Sequence, residues 1–234
     1  NDVLKPLVPS YTLSRQPISD GGTFVRPASL RGLPTDKTLV LVNSKRRHRA
    51  ALVEIGGSGT QGPDIATIPA VALQTVEVLR DGAAAQYGSD AIAGVINFRL
   101  KNNTEGGTFV VDYGKYYEGD GQNVSVAGNI GFALGQKGFL SLSGESSTSD
   151  PTSRAEQYCE EWFCLDPNNP VFDPSAAYAD YVNDPGFMAG VDEQNKFAGS
   201  GVVQPWGQPE TEATRLFFNS GYEINSDTKL YAFG

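Results

Sequence analysis

The chain concentrates its positive charge in one short run, and this run is the first place where binding chemistry is expected. Five potential cations occupy consecutive positions: Lys45, Arg46, Arg47, His48 and Arg49. Positive charge at this density attracts anions, so the run is a candidate ligand site. Arg15 and Gln16 form a second candidate place to meet an anionic ligand. The alternative interpretation of the run is a solvated basic loop.

Catalytic and metal-binding chemistry is poorly supported by the residue types. His48 is the single histidine, and Cys159 and Cys164 are the two cysteines, so a four-ligand zinc site cannot be assembled. Carboxylates are plentiful, but no spacing among them identifies an acid and base pair. The glycine-rich segment 56–63 lacks the Gly-Lys-Ser/Thr ending of a phosphate loop. We therefore expect no enzyme, no metal and no cofactor.

Charge divides the 234 residues into two parts. Residues 1–101 carry 12 Lys/Arg against 8 Asp/Glu, a net charge of +4, whereas residues 102–234 carry 6 against 19, a net charge of −13. This shift predicts two units, and the acidic second part argues against a nucleic-acid partner. No run of about 18 apolar residues is present that could form a spanning helix. Because both ends look abrupt, we interpret the sequence as an internal piece of a longer chain.

The second part has the pattern of consecutive β-strands. Between residues 123 and 134, apolar residues at even positions alternate with small or polar residues at odd positions. Further strands are predicted at 108–117, 139–145 and 214–223 and from residue 229, which gives five in all. Only the connection 146–209 is long. Short turns on one side and longer loops on the other are typical of a barrel with apolar residues facing lipid, and a soluble sandwich is the alternative.

The first part reads as a compact α+β unit. Residues 37–43 are predicted to form a strand buried on both faces, because Thr38-Leu39-Val40-Leu41-Val42 is β-branched and apolar. Residues 76–79 and 95–100 are predicted strands on either side of a short helix at 83–86. Ser89 or Asp90 is expected to cap a further helical turn at Ala91–Ala93.

Motifs in this first part resemble a known family. The order VEVLRDG…YGSDAIAGVIN at residues 76–97, preceded by Leu30-Arg31-Gly32 and by the strand 39–43, is similar to the plug domain of TonB-dependent outer-membrane transporters. The resemblance implies a plug at 1–101, a linker at 102–106, and at 107–234 the first five strands of a membrane β-barrel of about 22 strands. It departs from the family at Asp81, where relatives commonly have a different turn sequence.

The resemblance also implies a function and partners. Relatives import scarce nutrients such as iron chelates, cobalamin or oligosaccharides across the outer membrane of Gram-negative bacteria. Energy comes from TonB and its inner-membrane complex, which pulls a TonB box that would lie upstream of Asn1. A passive receptor or adhesin on the same barrel is the alternative. Arg31 and Arg80 match plug arginines that, in relatives, face glutamates of the wall; bonds to carbonyls within the plug are the other interpretation.

The long connection carries the remaining candidates. In an oxidising envelope compartment, Cys159 and Cys164 are expected to form a local disulfide that braces the loop. Trp162 and Phe163, which lie between the two cysteines, either contact ligand or pack the loop. Together with Trp206, these aromatic rings would suit sugar stacking as well as the basic residues would suit an anionic ligand.

Overall fold

The architecture was obtained as a computed structural model, which describes residues 8–13, 20–54, 59–80, 83–152 and 207–234. The described strands are β1 (Tyr11–Leu13), β2 (Ala28–Leu30), β3 (Thr38–Val42), β4 (Lys45–Arg46), β5 (Leu73–Leu79), β6 (Gly94–Leu100), β7 (Gly107–Gly114), β8 (Asn123–Leu134), β9 (Gly138–Ser149), β10 (Thr211–Glu223) and β11 (Lys229–Phe233). The α-helix among them is α1 (Ala83–Tyr87). Single 3₁₀ turns occupy Asp20–Thr23, Thr35–Lys37, Ala70–Ala72 and Ser89–Ala91.

The centre of the first part is a mixed sheet with the strand order β4-β3-β6-β5. β3 runs parallel to β6, from the pair Thr38↔Gly94 to the pair Val42↔Phe98, and β5 is antiparallel to β6. All five residues of β3 are buried, which confirms the prediction of a strand covered on both faces. Val40 and Val42 join one apolar cluster with Phe98, while the other face of β3 contributes to a second cluster.

The segment between β5 and β6 folds as predicted except for its cap. α1 lies where a short helix was expected, but neither Ser89 nor Asp90 caps the following turn. Gly88, with φ +87°, stands at the N-cap position and has no side chain that could cap the turn, while the Asp90 carboxylate is paired with Arg46 and Arg49. Gly94 has φ +140°, and a Cβ there would lie 2.6 Å from the Leu79 carbonyl oxygen, so only glycine fits at this close approach.

The second part is a meander in which β7 to β11 pair in chain order. The five strands agree with the predicted ones, and β8 has the bounds of the alternating segment. β9 runs on to Ser149 and β10 begins at Thr211, so the first four residues of the predicted loop 146–209 belong to a strand. The strand ends next to this loop are joined in a separate compact unit, within which Thr152 N–H donates to the Gln208 carbonyl at 2.9 Å.

Burial along the meander is reversed relative to a soluble sheet protein. On β10 the odd positions from Phe217 to Gly221 are buried, whereas Leu216 remains 80% exposed. On β8, Asn129 is only 5% exposed while Val126 and Ile130 are exposed. A sandwich would bury its apolar face, so the sheet has the polarity of a membrane barrel wall, with polar groups turned inward. No helix within the described residues is long and apolar enough to cross a membrane.

The polarity of the wall can be tested at Leu216, near the middle of β10. Leu216→Lys is expected to destabilise the folded protein in lipid vesicles by about 2–4 kcal/mol, because a lysine at mid-bilayer depth loses its hydration. Glu212→Lys, on the same face at the end of the strand, serves as the control and should cost no more than about 1 kcal/mol. Urea unfolding measures both. Equal and negligible effects would contradict the outward orientation of this face.

Candidate functional site

The basic run begins in the turn after β3. Asn43 and Ser44 adopt left-handed backbone conformations, with φ of +47° and +65°, and reverse the chain into β4. In β4, Lys45 pairs with Val42 and Arg46 with Leu41. Because successive side chains of a strand point to opposite faces, Lys45 and Arg46 lie on opposite faces of β4. The five cations therefore do not form a single cluster.

Arg46 and Arg49 share one carboxylate. Arg46 Nη1 lies 2.6 Å from Asp90 Oδ2, and Arg49 Nη2 lies 3.3 Å from Asp90 Oδ1. Arg46 Nη2 also donates to the Tyr87 carbonyl at 2.6 Å. All three charged side chains remain partly exposed, so water screens the pairs and their contribution to stability is small. One negative charge opposite two positive charges leaves an excess positive charge at the surface.

Arg47 is the most enclosed member of the run. Its Nη2 donates to Thr67 Oγ1 at 3.1 Å, and its Nε is buried without a hydrogen-bond partner among the described residues. Burial lowers the pKa of Arg47, and the nearby Asp64 carboxylate opposes this shift. A guanidinium still carries its charge at neutral pH, so Arg47 keeps a positive, incompletely bonded group in place. The neighbouring His48 is exposed.

These side chains line an open cleft of about 260 Å³ beside β3 and β4. Arg46, Arg47, His48 and Arg49 line it together with Asp36 and Asp90. Asp36 is already paired with Lys37 at 2.7 Å. With three guanidinium groups against two carboxylates, the cleft keeps a positive excess that can accept hydrogen-bonding oxygens of an anion. The structure thus brings together four of the predicted ligand residues.

Lys45 lies elsewhere, against the wall strands. Its Nζ is placed over the ring of Tyr231 in β11, 5.4 Å from the ring centroid, which is a cation–π distance. Nearby, Asn43 Nδ2 donates to Asn219 Oδ1 of β10 at 3.2 Å, and Asn219 Nδ2 donates to the Lys101 carbonyl at 3.0 Å. Phe217 belongs to the apolar cluster of the first part. The first part is therefore bonded to the inner face of the wall.

A second polar contact fixes the segment between β6 and β7. Ser141 Oγ donates to Asn103 Oδ1 at 2.8 Å, and Asn129 Nδ2 donates to the hydroxyls of Ser141 and Ser143 at 2.9 and 3.0 Å. Sequence analysis did not single out these amides. The signal that could have found them is their position, since Asn129 and Asn219 fall on the inward, odd-numbered face of strands whose other face is apolar.

The remaining predicted residues are not brought to either place. Arg31 is exposed in a left-handed conformation just after β2, and its N–H donates to the Ser10 carbonyl at 2.8 Å. Arg80 is exposed after β5 and makes no ion pair with any described residue. Seven predicted residues lie outside the described ranges: Arg15, Gln16, Cys159, Trp162, Phe163, Cys164 and Trp206. Within the described ranges, no three His, Cys, Asp or Glu side chains are grouped as metal ligands.

The chain is similar in sequence to known receptors and transporters. Residues 1–95 match the family described as the TonB-dependent receptor plug domain. The chain is similar to a probable TonB-dependent siderophore receptor, PirA, of Acinetobacter baumannii, with 39% identity over 87 residues that make up 35% of this chain and 11% of PirA. It is also similar to the vitamin B12 transporter BtuB of Vibrio cholerae, with 33% identity over 129 residues, 53% of this chain and 19% of BtuB.

Solved structures show the same fold. A crystal structure of a ferric enterobactin receptor variant, PfeA of Pseudomonas aeruginosa, in complex with enterobactin matches with a TM-score of 0.57 at 18% identity, covering 88% of this chain and 26% of PfeA. The crystal structure of the siderophore receptor PirA from Acinetobacter baumannii matches with a TM-score of 0.51 at 18% identity, covering 95% and 30%. The chain thus spans between about a tenth and a third of these relatives.

The bond between Asn43 and Asn219 yields a prediction about stability. Asn219→Leu leaves the Asn43 amide and the Lys101 carbonyl without their partner, and should lower the free energy of unfolding by about 1–3 kcal/mol. Thr214→Val, at an exposed even position of the same strand, is the control and should change it by less than about 0.5 kcal/mol. Denaturant unfolding measures both variants. A larger effect at Thr214 than at Asn219 would contradict the assignment of the inner face.

Proposed function

We propose that this chain belongs to the TonB-dependent receptors and is part of an outer-membrane active transporter, because residues 1–95 match their plug domain and barrel strands follow it. In this proposal the protein resides in the outer membrane of a Gram-negative bacterium and imports a scarce nutrient into the periplasm. Curated relatives are named as receptors and transporters, and none of those cited above is named as an enzyme.

We assign residues 1–101 to the plug, 102–106 to the linker, and 107–234 to the first five wall strands. The long extracellular loop, predicted at 146–209, then lies between the end of β9 at Ser149 and the start of β10 at Thr211. The family match to residues 1–95 and the start of β7 at Gly107 support these limits. A barrel of about 22 strands is wide enough to need a plug. The remaining strands would belong to parts of the protein outside this chain.

The observation that carries the proposal is the bonding between plug and wall. Phe217 packs in the plug core and Asn219 exchanges hydrogen bonds with the plug, so the inner face of β10 does not line an open pore. A ligand could pass only if part of the plug moved. The outer membrane has no ATP supply, and the family resemblance implies that TonB and its inner-membrane complex provide the force through a TonB box upstream of Asn1.

The ligand class follows from the cleft beside β4. Relatives are named for siderophores, enterobactin and vitamin B12. The positive excess formed by Arg46, Arg47 and Arg49 supports an anionic ligand such as a ferric chelate, and an acidic oligosaccharide fits the same charge. Arg15, Gln16, His48, Trp162 and Phe163 remain proposed contributors to the ligand surface. Lys45 was predicted with them on its charge, but its side chain lies against Tyr231, outside this cleft.

Uptake by cells tests this function directly. Deleting the gene should abolish growth on one iron chelate or oligosaccharide as the limiting source, and the wild-type gene should restore it only when TonB is present. A passive receptor or adhesin would bind ligand at the cell surface and show no uptake defect. That result would reject active transport.

Two variants of the cleft sharpen the same experiment. Arg47→Gln removes a positive group and should weaken binding of an anionic ligand by about ten-fold, because one charge-assisted hydrogen bond is lost. Asp90→Asn removes the carboxylate that competes for Arg46 and Arg49 and should strengthen binding. The two variants change charge in opposite directions within one cleft, so effects of the same sign would argue against an anionic ligand there.

Arg31 and Arg80 provide a prediction about plug retention. If they bond wall glutamates in the whole receptor, as in relatives, the double variant Arg31→Ala/Arg80→Ala should loosen the plug and increase sensitivity to large antibiotics. The control is Lys37→Ala, which removes a plug cation whose partner, Asp36, lies in the plug itself. Unchanged antibiotic leakage in the double variant would favour the interpretation that these arginines bond carbonyls within the plug.

A further inference from the structure

A second cleft lies between the plug and the wall, at the end of the plug where the linker begins. β3 is parallel to β6, so the turn at Asn43–Ser44 and the end of the plug at Lys101 lie at the same end of the sheet. The cleft has a volume of about 250 Å³ and is lined from the wall side by Phe139, Asn219 and Tyr231. It is separate from the Arg46–Arg49 cleft, because Lys45 and Arg46 point to opposite faces of β4.

The charged groups around this cleft are all positive. Lys45 of β4, Arg99 of β6 and Lys229 of β11 line it, and no carboxylate is among its described lining residues. Lys45 contacts the Tyr231 ring, and neither Lys45 nor Arg99 makes an ion pair with a described residue. Lys229 has one carboxylate partner, Glu223, at 3.3 Å, and both of these side chains are exposed.

The positive groups that line this cleft repel one another, and a bound anion would offset that repulsion. Three like charges converge from three strands, and a cleft lined by one sign of charge concentrates counter-ions. The floor is fixed, because Asn43 bonds Asn219 and also accepts the Leu100 N–H at 3.0 Å. The Asn102 amide is exposed at the rim and adds further donors. The volume is below the roughly 300–1,000 Å³ of pockets for drug-sized ligands, so the occupant is small.

We propose that this cleft binds a small polyvalent anion bearing carboxylate or phosphate groups. The anion is held by the Lys45 and Lys229 ammonium groups and the Arg99 guanidinium, and it bridges plug strands β4 and β6 to wall strand β11. Its binding ties the plug to the wall at the linker end. The site is distinct from the proposed ligand cleft and does not depend on which nutrient the receptor imports.

The test uses the receptor as the cell makes it, purified in detergent, with inorganic phosphate and citrate as separate probes. Isothermal titration should show saturable binding of at least one probe, with an affinity that falls as sodium chloride is raised. The same probe should raise the melting temperature, because it binds only the folded protein. Lys45→Gln and Arg99→Gln should each weaken binding at least about five-fold.

The matched control is Lys137→Gln, which removes one exposed positive charge from the β8–β9 turn without changing the cleft lining. Its affinity for the probe should equal that of the wild type. Absence of saturable binding of both probes would overturn the proposal, as would equal binding by the wild type and Lys45→Gln. If Lys45→Gln lowers the melting temperature in the absence of anion and the wild type binds neither probe, a carboxylate of the protein itself fills the cleft, and the proposal fails. Uptake is measured in a separate experiment, so a failure of the proposed transport function would not change the outcome of the anion-binding test.

Discussion

The constraint on which the structure depends is the reversed polarity of the wall strands. A strand that turns Leu216 outward must turn Phe217 and Asn219 inward, because side chains alternate along it. A buried amide without hydrogen bonds costs free energy, so every inward polar group needs a partner. In β10 that partner is Asn43 of the plug together with the Lys101 carbonyl. Without the plug, the buried amide of the wall would lack its hydrogen-bond partners, and the same hydrogen bonds fix the position of the plug.

The described contacts between plug and wall are mainly neutral. Asn43 of the plug bonds Asn219, and Asn103 of the linker bonds Ser141, so these contacts join amides and hydroxyls; the ion pair between Arg215 and Glu145 at 2.8 Å connects one wall strand with the next. A neutral hydrogen bond contributes about 1 kcal/mol net, because water replaces it when it breaks. Contacts of this kind hold a defined position and still permit separation under a modest force. This is the mechanical property that the proposed movement of the plug requires.

Much of the fold could be predicted from local sequence. The alternation in residues 123–134 predicted β8, and the apolar run at 38–42 predicted a strand buried on both faces, because both patterns depend only on neighbouring residues. The cap at Ser89 or Asp90 was predicted wrongly because a tertiary contact decided it: Arg46 and Arg49 engage the carboxylate from 44 and 41 positions away. The Asn43–Asn219 bond spans 176 positions, so local sequence can place Asn219 on the inward face but cannot identify its partner.

The basic run shows how far charge alone can predict a site. Five adjacent cations suggested one anion-binding cluster, but the pleat of a two-residue strand separates Lys45 from Arg46. Arg46, on one side of β4, lines the cleft that contains Asp90. Lys45, on the other side, lines the second cleft, between plug and wall. Both clefts share β3 as their support, since β4 pairs with that buried strand. A displacement of β4 at one cleft is therefore also a displacement at the other, and the composition of the run gives no indication of this link.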